Sequence, residues 1–215
     1  AYEETEAKET QSIKSFLSEL ASQKNIIISH NQHGNLVFKR PSSIQKPVFD
    51  FTPSTLSNIS MDLSFNGQSV HSQITVMKQS DIEEQGISEQ ETIFNPYVTT
   101  VFRPKVHKLT QKSGKDTDAE SSAKNIRAKE MRSLSLVIEA DRLVLNEKML
   151  RPGDIITVTN PEVYLYKKTS WFVDTIGLKA DTNGEIATFN CCIPEAITGE
   201  DPKNIFAGIN LHPLV

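Results

Sequence analysis

The sequence predicts an α+β protein that is mostly β: a small helix-hairpin unit followed by a β-barrel or β-sandwich with one inserted helix. Short segments that alternate apolar and polar residues recur along the chain, as half-buried strands do. Asn-Gly and Pro-Gly turn signals separate several of them. Helical apolar spacing is confined to two segments. At 215 residues, the chain has the length of one large or two small domains.

The first predicted unit, residues 1–50, is a helix followed by a β-hairpin. An apolar stripe at i, i+3, i+4, i+7 and i+8 predicts a helix over 12–23. Its members are Ile13, Phe16, Leu17, Leu20 and Ala21. Two short apolar runs, 26–28 and 36–38, flank a turn at 31–34 and predict the hairpin.

The second predicted unit, residues 51–195, is the β-barrel or β-sandwich. Residues 59–65 alternate as a half-buried strand, and Asn66-Gly67 predicts a hairpin turn into a return strand at 70–76. A Thr-x-x-Glu capping box at 117–120 predicts a helix over 118–131, with small residues on the face that would contact a sheet. Further strands are predicted at 134–138, 155–158, 163–166, 171–179 and 185–193.

Charge is distributed unevenly along the second unit. Residues 79–91 carry five acidic side chains and no Lys or Arg, and 79–100 is predicted to be a long acidic loop that is mobile. Residues 101–132 carry nine basic and four acidic side chains. Residues 196–215 lack a pattern and are predicted to be a C-terminal tail.

Composition excludes several classes of function. A net charge of −4 and a pI near 5.8 argue against a protein that coats DNA or an anionic membrane. The two cysteines, Cys191 and Cys192, are adjacent. On a strand they would face opposite sides, so no disulfide between them is expected, and a reducing compartment is favoured.

No motif indicates a catalytic, cofactor-binding or metal-binding residue, and no cofactor is expected. His30 and His33 have the spacing of metal ligands, but no Cys, Asp or Glu lies near them in sequence, so a solvated turn is favoured. Ser113-Gly114-Lys115 lacks the earlier glycine and the following Ser or Thr of a phosphate-binding loop. A binding or scaffolding role is therefore favoured over catalysis.

The order of these elements resembles the baseplate hub proteins of Mu-like contractile phage tails. The helix-hairpin part of the resemblance is carried by 12–21, 26–29 and Gly34-Asn35-Leu36-Val37-Phe38-Lys39-Arg40. The later part is carried by Ser72–Val76, Val101-Phe102-Arg103-Pro104, the helix at 118–132 that continues into 133–136, and Leu150-Arg151-Pro152-Gly153-Asp154-Ile155-Ile156. Leu150 replaces the family's usual aromatic residue. The resemblance covers about residues 10–195.

The resemblance implies a non-enzymatic structural role. Hub proteins of this family are homotrimers whose rings join the tail tube to the central spike, with a channel for the tape-measure protein and for DNA. It therefore implies a virion protein of the tail baseplate, assembled in the bacterial cytoplasm, with itself, tube and spike proteins as partners. DNA would only pass through the channel, and no membrane is involved. Because the family carries another β-barrel before the helix-hairpin unit, we expect the chain to be a C-terminal fragment.

Two alternatives remain open at this stage. A polyanion- or saccharide-binding β module would use the basic stretch at 101–132, and an enzyme would have a site spread over several strands. For the hub, we expect Lys105, Lys108, Lys112 and Lys115 to face outward or to face a protein partner, because DNA must slide through the channel. The acids of 79–91 are then candidates for the channel rim or for partners of those lysines between subunits.

Overall fold

The structure, a computed structural model, describes residues 12–17, 26–30, 33–39, 45–55, 58–78, 89–109, 119–145, 147, 149–182 and 184–208. Its strands are β1 (Ile27–His30), β2 (Leu36–Lys39), β3 (Phe49–Phe51), β4 (Ile59–Phe65), β5 (Gln73–Lys78), β6 (Glu89–Phe94), β7 (Pro104–Leu109), β8 (Leu134–Ala140), β9 (Ile155–Asn160), β10 (Leu165–Asp181) and β11 (Gly184–Cys192). Its helices are α1 (Ala119–Met131) and α2 (Glu195–Thr198). Residues 13–17 are also helical.

The main core lies on a six-stranded sheet with the order β3-β9-β10-β11-β8-β4. Neighbouring strands are antiparallel, except for the parallel pair β3 and β9. Trp171 and Phe189 are almost fully buried within the core of this sheet. The sheet curls strongly, since Asn160 Nδ2 at the end of β9 lies 3.7 Å from Met61 Sδ in β4.

A second, three-stranded sheet has the order β6-β5-β7, with β5 antiparallel to β6 and parallel to β7. Helix α1 packs on one face of this sheet. Ala119 and Ala123 are fully buried there against Ile74 and Val76 of β5. The small side chains let the helix approach the sheet closely, so this unit has its own small core.

Most predicted elements are present, and the fold class is α+β and mostly β, as predicted. The hairpin at 26–39 forms as β1 and β2. The helix predicted at 118–131 is α1, and the strand at 134–138 is β8. The hairpin predicted from Asn183-Gly184 forms as β10 and β11, whose paired residues run from Phe172↔Cys192 to Asp181↔Gly184. Residues 18–23 of the first predicted helix lie outside the described residues.

The predicted hairpin between 59–65 and 70–76 is wrong. β4 instead pairs with β8 over seven positions, from Ile59↔Ala140 to Phe65↔Leu134. The Asn66 side chain accepts a hydrogen bond from the Gln68 backbone N–H at 3.1 Å and begins a 3-10 turn over Gly67–Ser69. That turn sends the chain into the second sheet, because an Asn side chain can bond the local backbone in place of a tight hairpin.

Three other predictions need correction. The main sheet does not close into a barrel, since β3 and β4 remain its outer strands within the described residues. The predicted loop at 79–100 contains strand β6, which tertiary pairing with β5 stabilises although its sequence is mostly polar. Residues 79–88 lie outside the described residues. The division of the chain into separate units at residues 50 and 195 stays a prediction.

The predicted tail at 196–215 is packed against the rest of the protein over 196–206. Tyr97 Oη donates a hydrogen bond to the Lys203 carbonyl at 2.8 Å, and Asn204 Nδ2 donates to the Pro96 carbonyl at 3.0 Å. The Phe206 ring meets Tyr97 edge-on, with ring centroids 6.2 Å apart. These hydrogen bonds join residues more than 100 positions apart, so no local periodicity of the sequence indicates them.

Cys191 and Cys192 are both free and buried at the end of β11. Burial raises the pKa of Cys191 above its usual range and raises that of Cys192 to about 12. At pH 8, a thiol with that pKa is ionised to about one part in ten thousand, far less than an exposed thiol. The thiolate is the reactive species, so both cysteines are expected to be inert.

We therefore expect the native protein to react negligibly with a thiol reagent at pH 8 and to react at both cysteines after unfolding in urea. Absorbance after addition of a chromogenic disulfide reagent measures this directly. The single variants Cys191→Ser and Cys192→Ser show which thiol reacts. Rapid labelling of either thiol in the folded protein would contradict the packing described here.

No helix among the described residues is long and apolar enough to cross a membrane.

Candidate assembly surfaces

Glu130, near the C-terminal end of α1, connects the helix to the segment before β5 and to the outer strand β7 of the second sheet. Its Oε1 accepts hydrogen bonds from His71 Nδ1 at 2.8 Å and from Lys105 Nζ at 2.9 Å, while its Oε2 accepts from the His71 backbone N–H at 3.1 Å. Only 8% of the Glu130 side chain is exposed. We call these three residues the Glu130 clamp. It fixes α1 relative to the segment before β5 and to β7.

A cleft of about 400 Å³ opens beside the clamp, between α1 and β7. Its lining residues are Ser69, Lys105, His107, Ile126, Lys129, Glu130 and Ser133. Lys129 is exposed on its rim, and the buried Ser133 Oγ has no hydrogen-bond partner among the described residues. Lys105 is already paired with Glu130, so the exposed Lys129 ammonium and the His107 imidazole are the groups that favour an acidic occupant.

The His71–Glu130 pair has the composition of a general acid-base pair. Within the described part of the chain, Glu130 is the hydrogen-bond partner of the His71 ring. A nucleophile activated by this histidine would have to lie within hydrogen-bond reach of the ring. In the structure the pair connects α1 to the segment before β5.

The face of the three-stranded sheet opposite α1 is mostly polar but carries exposed apolar side chains on both outer strands. Phe94 pairs with Gln73 and Val106 with Thr75, which places them on the face that does not contact α1. Phe94 is 68% exposed and Val106 is 61% exposed, and Phe102 just before β7 is 77% exposed. These large exposed apolar groups make the outer strands candidates for an interaction surface.

The two outer strands of this sheet differ in charge. β6 contains Glu89 and Glu91, whereas β7 contains Lys105, His107 and Lys108. Each strand is paired on one side only within the described residues. A free strand edge is a template for pairing with another chain.

Arg127 anchors the C-terminal segment beside this sheet. Its guanidinium donates to the Phe94 carbonyl at 3.0 Å and to the Glu200 carbonyl at 3.5 Å, and it forms an ion pair with Asp201. The Arg127 side chain is 5% exposed, whereas that of Asp201 is 76% exposed. The hydrogen bond from Arg127 lowers the pKa of Asp201 below its usual range.

This lowered pKa gives a pH dependence with a defined sign. A carboxylate whose pKa is lower in the folded state contributes stability above its unfolded pKa of about 3.9, and that contribution is lost as pH falls through the folded pKa. We expect Asp201→Asn to lose less thermal stability than the wild type on acidification from pH 5 to pH 2. Melting temperatures by circular dichroism measure this. Equal losses in the two proteins would show that Asp201 adds nothing.

The four predicted lysines are only partly within the described residues. Lys105 lies on the α1 side of β7 and pairs with Glu130 of its own chain, and the expectation that it faces outward or a protein partner stays a prediction. Lys108 is exposed. Lys112 and Lys115 lie outside the described residues.

Neither of the two histidines proposed from spacing is placed in a metal site. His33 is exposed, and the described residues contain no group of three or more His, Cys, Asp or Glu placed to hold a metal ion. The sequence reasoning missed Glu130 and His71. One signal existed: a carboxylate next to a helix C-terminus is unfavourable with the helix dipole and so calls for a cationic partner.

Comparison of the whole fold with solved structures identifies the class to which the architecture belongs. The chain superimposes on the 43 kDa tail protein of prophage MuSo2 from Shewanella oneidensis with a TM-score of 0.70 and 16% identity, over 88% of this chain and 56% of that one. It matches the tail protein from Neisseria meningitidis MC58 with a TM-score of 0.70 and 15% identity, over 92% of this chain and 60% of that one.

A third match, prophage tail protein gp18 from Listeria monocytogenes EGD-e, has a TM-score of 0.50 and 12% identity over 83% of this chain and 52% of that one. The chain thus has a fold found in phage tail proteins and spans little more than half of their length. No protein-family model matches it, and comparison with curated proteins gave no match.

Proposed function

We propose that the protein is a structural, non-enzymatic component of a phage tail, and specifically of the baseplate hub that connects the tail tube to the central spike. The observation that carries this proposal is the fold shared with tail proteins over about nine tenths of the chain. At 15–16% sequence identity this likeness concerns the fold alone. The proposed structural role is therefore also argued from the exposed surfaces of the second sheet. The proposed location is the virion.

The surfaces suit assembly better than catalysis. Phe94, Phe102 and Val106 are exposed on or beside a sheet whose outer strands, β6 and β7, each pair on one side only within the described residues. The Glu130 clamp and the Arg127 contacts hold this sheet and α1 in one arrangement. Strand edges that are already held in one conformation lose less conformational entropy when they associate with another chain.

In the proposed hub, three copies form a ring around a channel for the tape-measure protein and DNA. DNA must pass without being held, because each neutralised phosphate releases counterions and adds affinity. The net charge of −4 agrees with this need. Lys105 already pairs with a carboxylate of its own chain and is therefore a weak phosphate contact.

The direct test is the assembly state of the purified chain. We expect light scattering coupled to size exclusion to report a trimer and electron microscopy to show rings with threefold symmetry. Tube and spike proteins encoded beside the gene should co-purify with it. A protein that remains monomeric and retains neither partner would refute the hub proposal.

A polyanion- or saccharide-binding module is the second candidate, favoured by the lysines and histidine around the cleft. It predicts retention on heparin that falls steeply with salt and is lost in Lys129→Glu. Tight, salt-sensitive binding by a protein that does not assemble would favour this candidate.

A further inference from the structure

The three-stranded sheet has complementary edges on its helix-facing side. Glu91 is paired with Val76 and Lys105 with Ile74, and both partners are buried under α1, so Glu91 and Lys105 lie on the same side of the sheet. Glu91, on the acidic edge strand, has no cation of the described residues within ion-pair distance. Lys105 lies on the basic edge strand.

The basic edge strand has room beside it. Helix α1 packs over β5 and β6 and leaves the cleft next to β7 open. The cleft presents Lys129 and His107 on its rim and the unpartnered Ser133 Oγ within it. A carboxylate that entered beside β7 would therefore meet the exposed ammonium group of Lys129 and the exposed imidazole of His107.

Strand direction permits the two edges to pair between copies. β6 is antiparallel to β5, and β7 is parallel to β5, so β6 and β7 run in opposite directions. If a second copy continues the same sheet, its β6 lies antiparallel to β7 of the first copy. Antiparallel pairing forms the more stable ladder.

We infer that β6 of one copy adds to β7 of the next copy, with Glu91 entering the basic cleft and Phe94 packing near Val106 on the opposite face. The inference rests on the proposed self-assembly and specifies the surface that performs it. The contact is head-to-tail, because each copy uses a different edge on each side. Such a contact closes into a ring when the rotation allows it.

A second copy fits this surface better than a polyanion does. The outer face beside β7 carries Phe102 at 77% and Val106 at 61% exposure next to the exposed Lys108, and a phosphate backbone would contact the lysine but would not cover the two apolar side chains. Strand β6 provides both chemistries, with Glu91 on one face and the 68% exposed Phe94 on the other. Alternate residues of one strand supply both faces.

Charge reversal tests the electrostatic half of the inference. We expect Glu91→Lys and Lys129→Glu each to weaken self-association by about tenfold or more, because like charges then face each other. The double variant Glu91→Lys/Lys129→Glu restores opposite charges across the contact and should associate nearly as the wild type does. Sedimentation velocity over a concentration series measures this, and circular dichroism confirms that each variant is folded.

Cysteine cross-linking tests the register and the head-to-tail geometry. Thr92→Cys and Val106→Cys, when mixed and oxidised, should give a covalent dimer on a non-reducing gel, and the double variant should give a ladder. In the register that brings Glu91 opposite His107 in the cleft, Thr92 lies opposite Val106, and Phe94 lies next along the same face, opposite Pro104. Each single variant alone should give no dimer, because in a head-to-tail contact the introduced cysteines of two identical copies do not lie opposite each other. Tyr166→Cys mixed with Val106→Cys is the matched control, because Tyr166 is 52% exposed and lies on the main sheet.

The outcomes separate this inference from the hub proposal. Rings that form unchanged in both charge variants would overturn the inference and leave the hub standing. A wild-type protein that is monomeric at all concentrations would overturn both. Heparin binding lost in Lys129→Glu, with association unchanged, would assign the cleft to a polyanion and overturn the inference. Dimers from a single cysteine variant would replace the head-to-tail contact with a symmetric one.

Discussion

Replacing Trp171 with alanine should lower the free energy of unfolding by about 4 kcal/mol, the cost typical of truncating a large buried aromatic residue. Trp171 is fully buried on β10, opposite Ile156 of β9. Its Nε1 donates to Thr169 Oγ1 at 2.9 Å, and that hydroxyl donates to the Val158 carbonyl at 3.0 Å. The change therefore leaves a cavity and removes a donor from a buried chain of hydrogen bonds.

Urea denaturation followed by circular dichroism is the appropriate measurement, because the variant lacks the protein's single tryptophan. The control is Tyr166→Ala on the same strand, where the side chain is 52% exposed. An exposed substitution of this kind changes stability by about 0.5 kcal/mol or less. If the two variants lost equal stability, the core assignment of β10 would be wrong.

Replacing Glu130 with alanine should cost about 3 kcal/mol, because a buried carboxylate that accepts three hydrogen bonds is removed. The His71 backbone N–H and the His71 ring lose their acceptor, and Lys105 loses its ion pair. Lys105 is 38% exposed and recovers part of its hydration, which limits the loss. Urea denaturation of the purified variant gives the value.

The control is Lys124→Ala in the other half of α1. Lys124 forms a partly exposed i,i+4 pair with Glu120, so its loss should cost about 0.3–0.5 kcal/mol. Glu130→Gln, which keeps the shape and one acceptor oxygen, should recover part of the loss. A Glu130→Ala variant no less stable than Lys124→Ala would show that the clamp does not hold α1.

The Glu130 clamp connects stability to assembly. It fixes β7 and α1, the two walls of the cleft that we assign to a second copy. We expect association and stability to fall together in Glu130→Ala, whereas Glu91→Lys weakens association alone. Glu91 is on an outer strand and has no recorded tertiary ion pair among the described residues.

Local sequence pattern was sufficient to predict the elements that are indicated by residues adjacent in the sequence. The alternation of 59–65, the capping box before α1 and the Asn-Gly turn between β10 and β11 all predicted the correct secondary structure. Pattern failed at β6, which has one buried-facing apolar residue, Ile93, and depends on pairing with β5. It also failed at Asn66-Gly67, where the same dipeptide suits a hairpin and a 3-10 turn.

The sequence by itself determined a mostly β chain with a single long inserted helix in its second half, two cysteines not paired with each other and a separation of acidic and basic stretches, because composition and periodicity act locally. Only the tertiary structure decided which strands pair, that the main sheet stays open, that the cysteines are buried and that β6 and β7 become opposite edges of one small sheet. The cleft and the Glu130 clamp were decided there as well, since the clamp joins residues 59 positions apart. Such contacts depend on chain reversals whose direction no local pattern encodes. The acidic and basic stretches are visible in the sequence, but only the fold places them on opposite edges of one sheet.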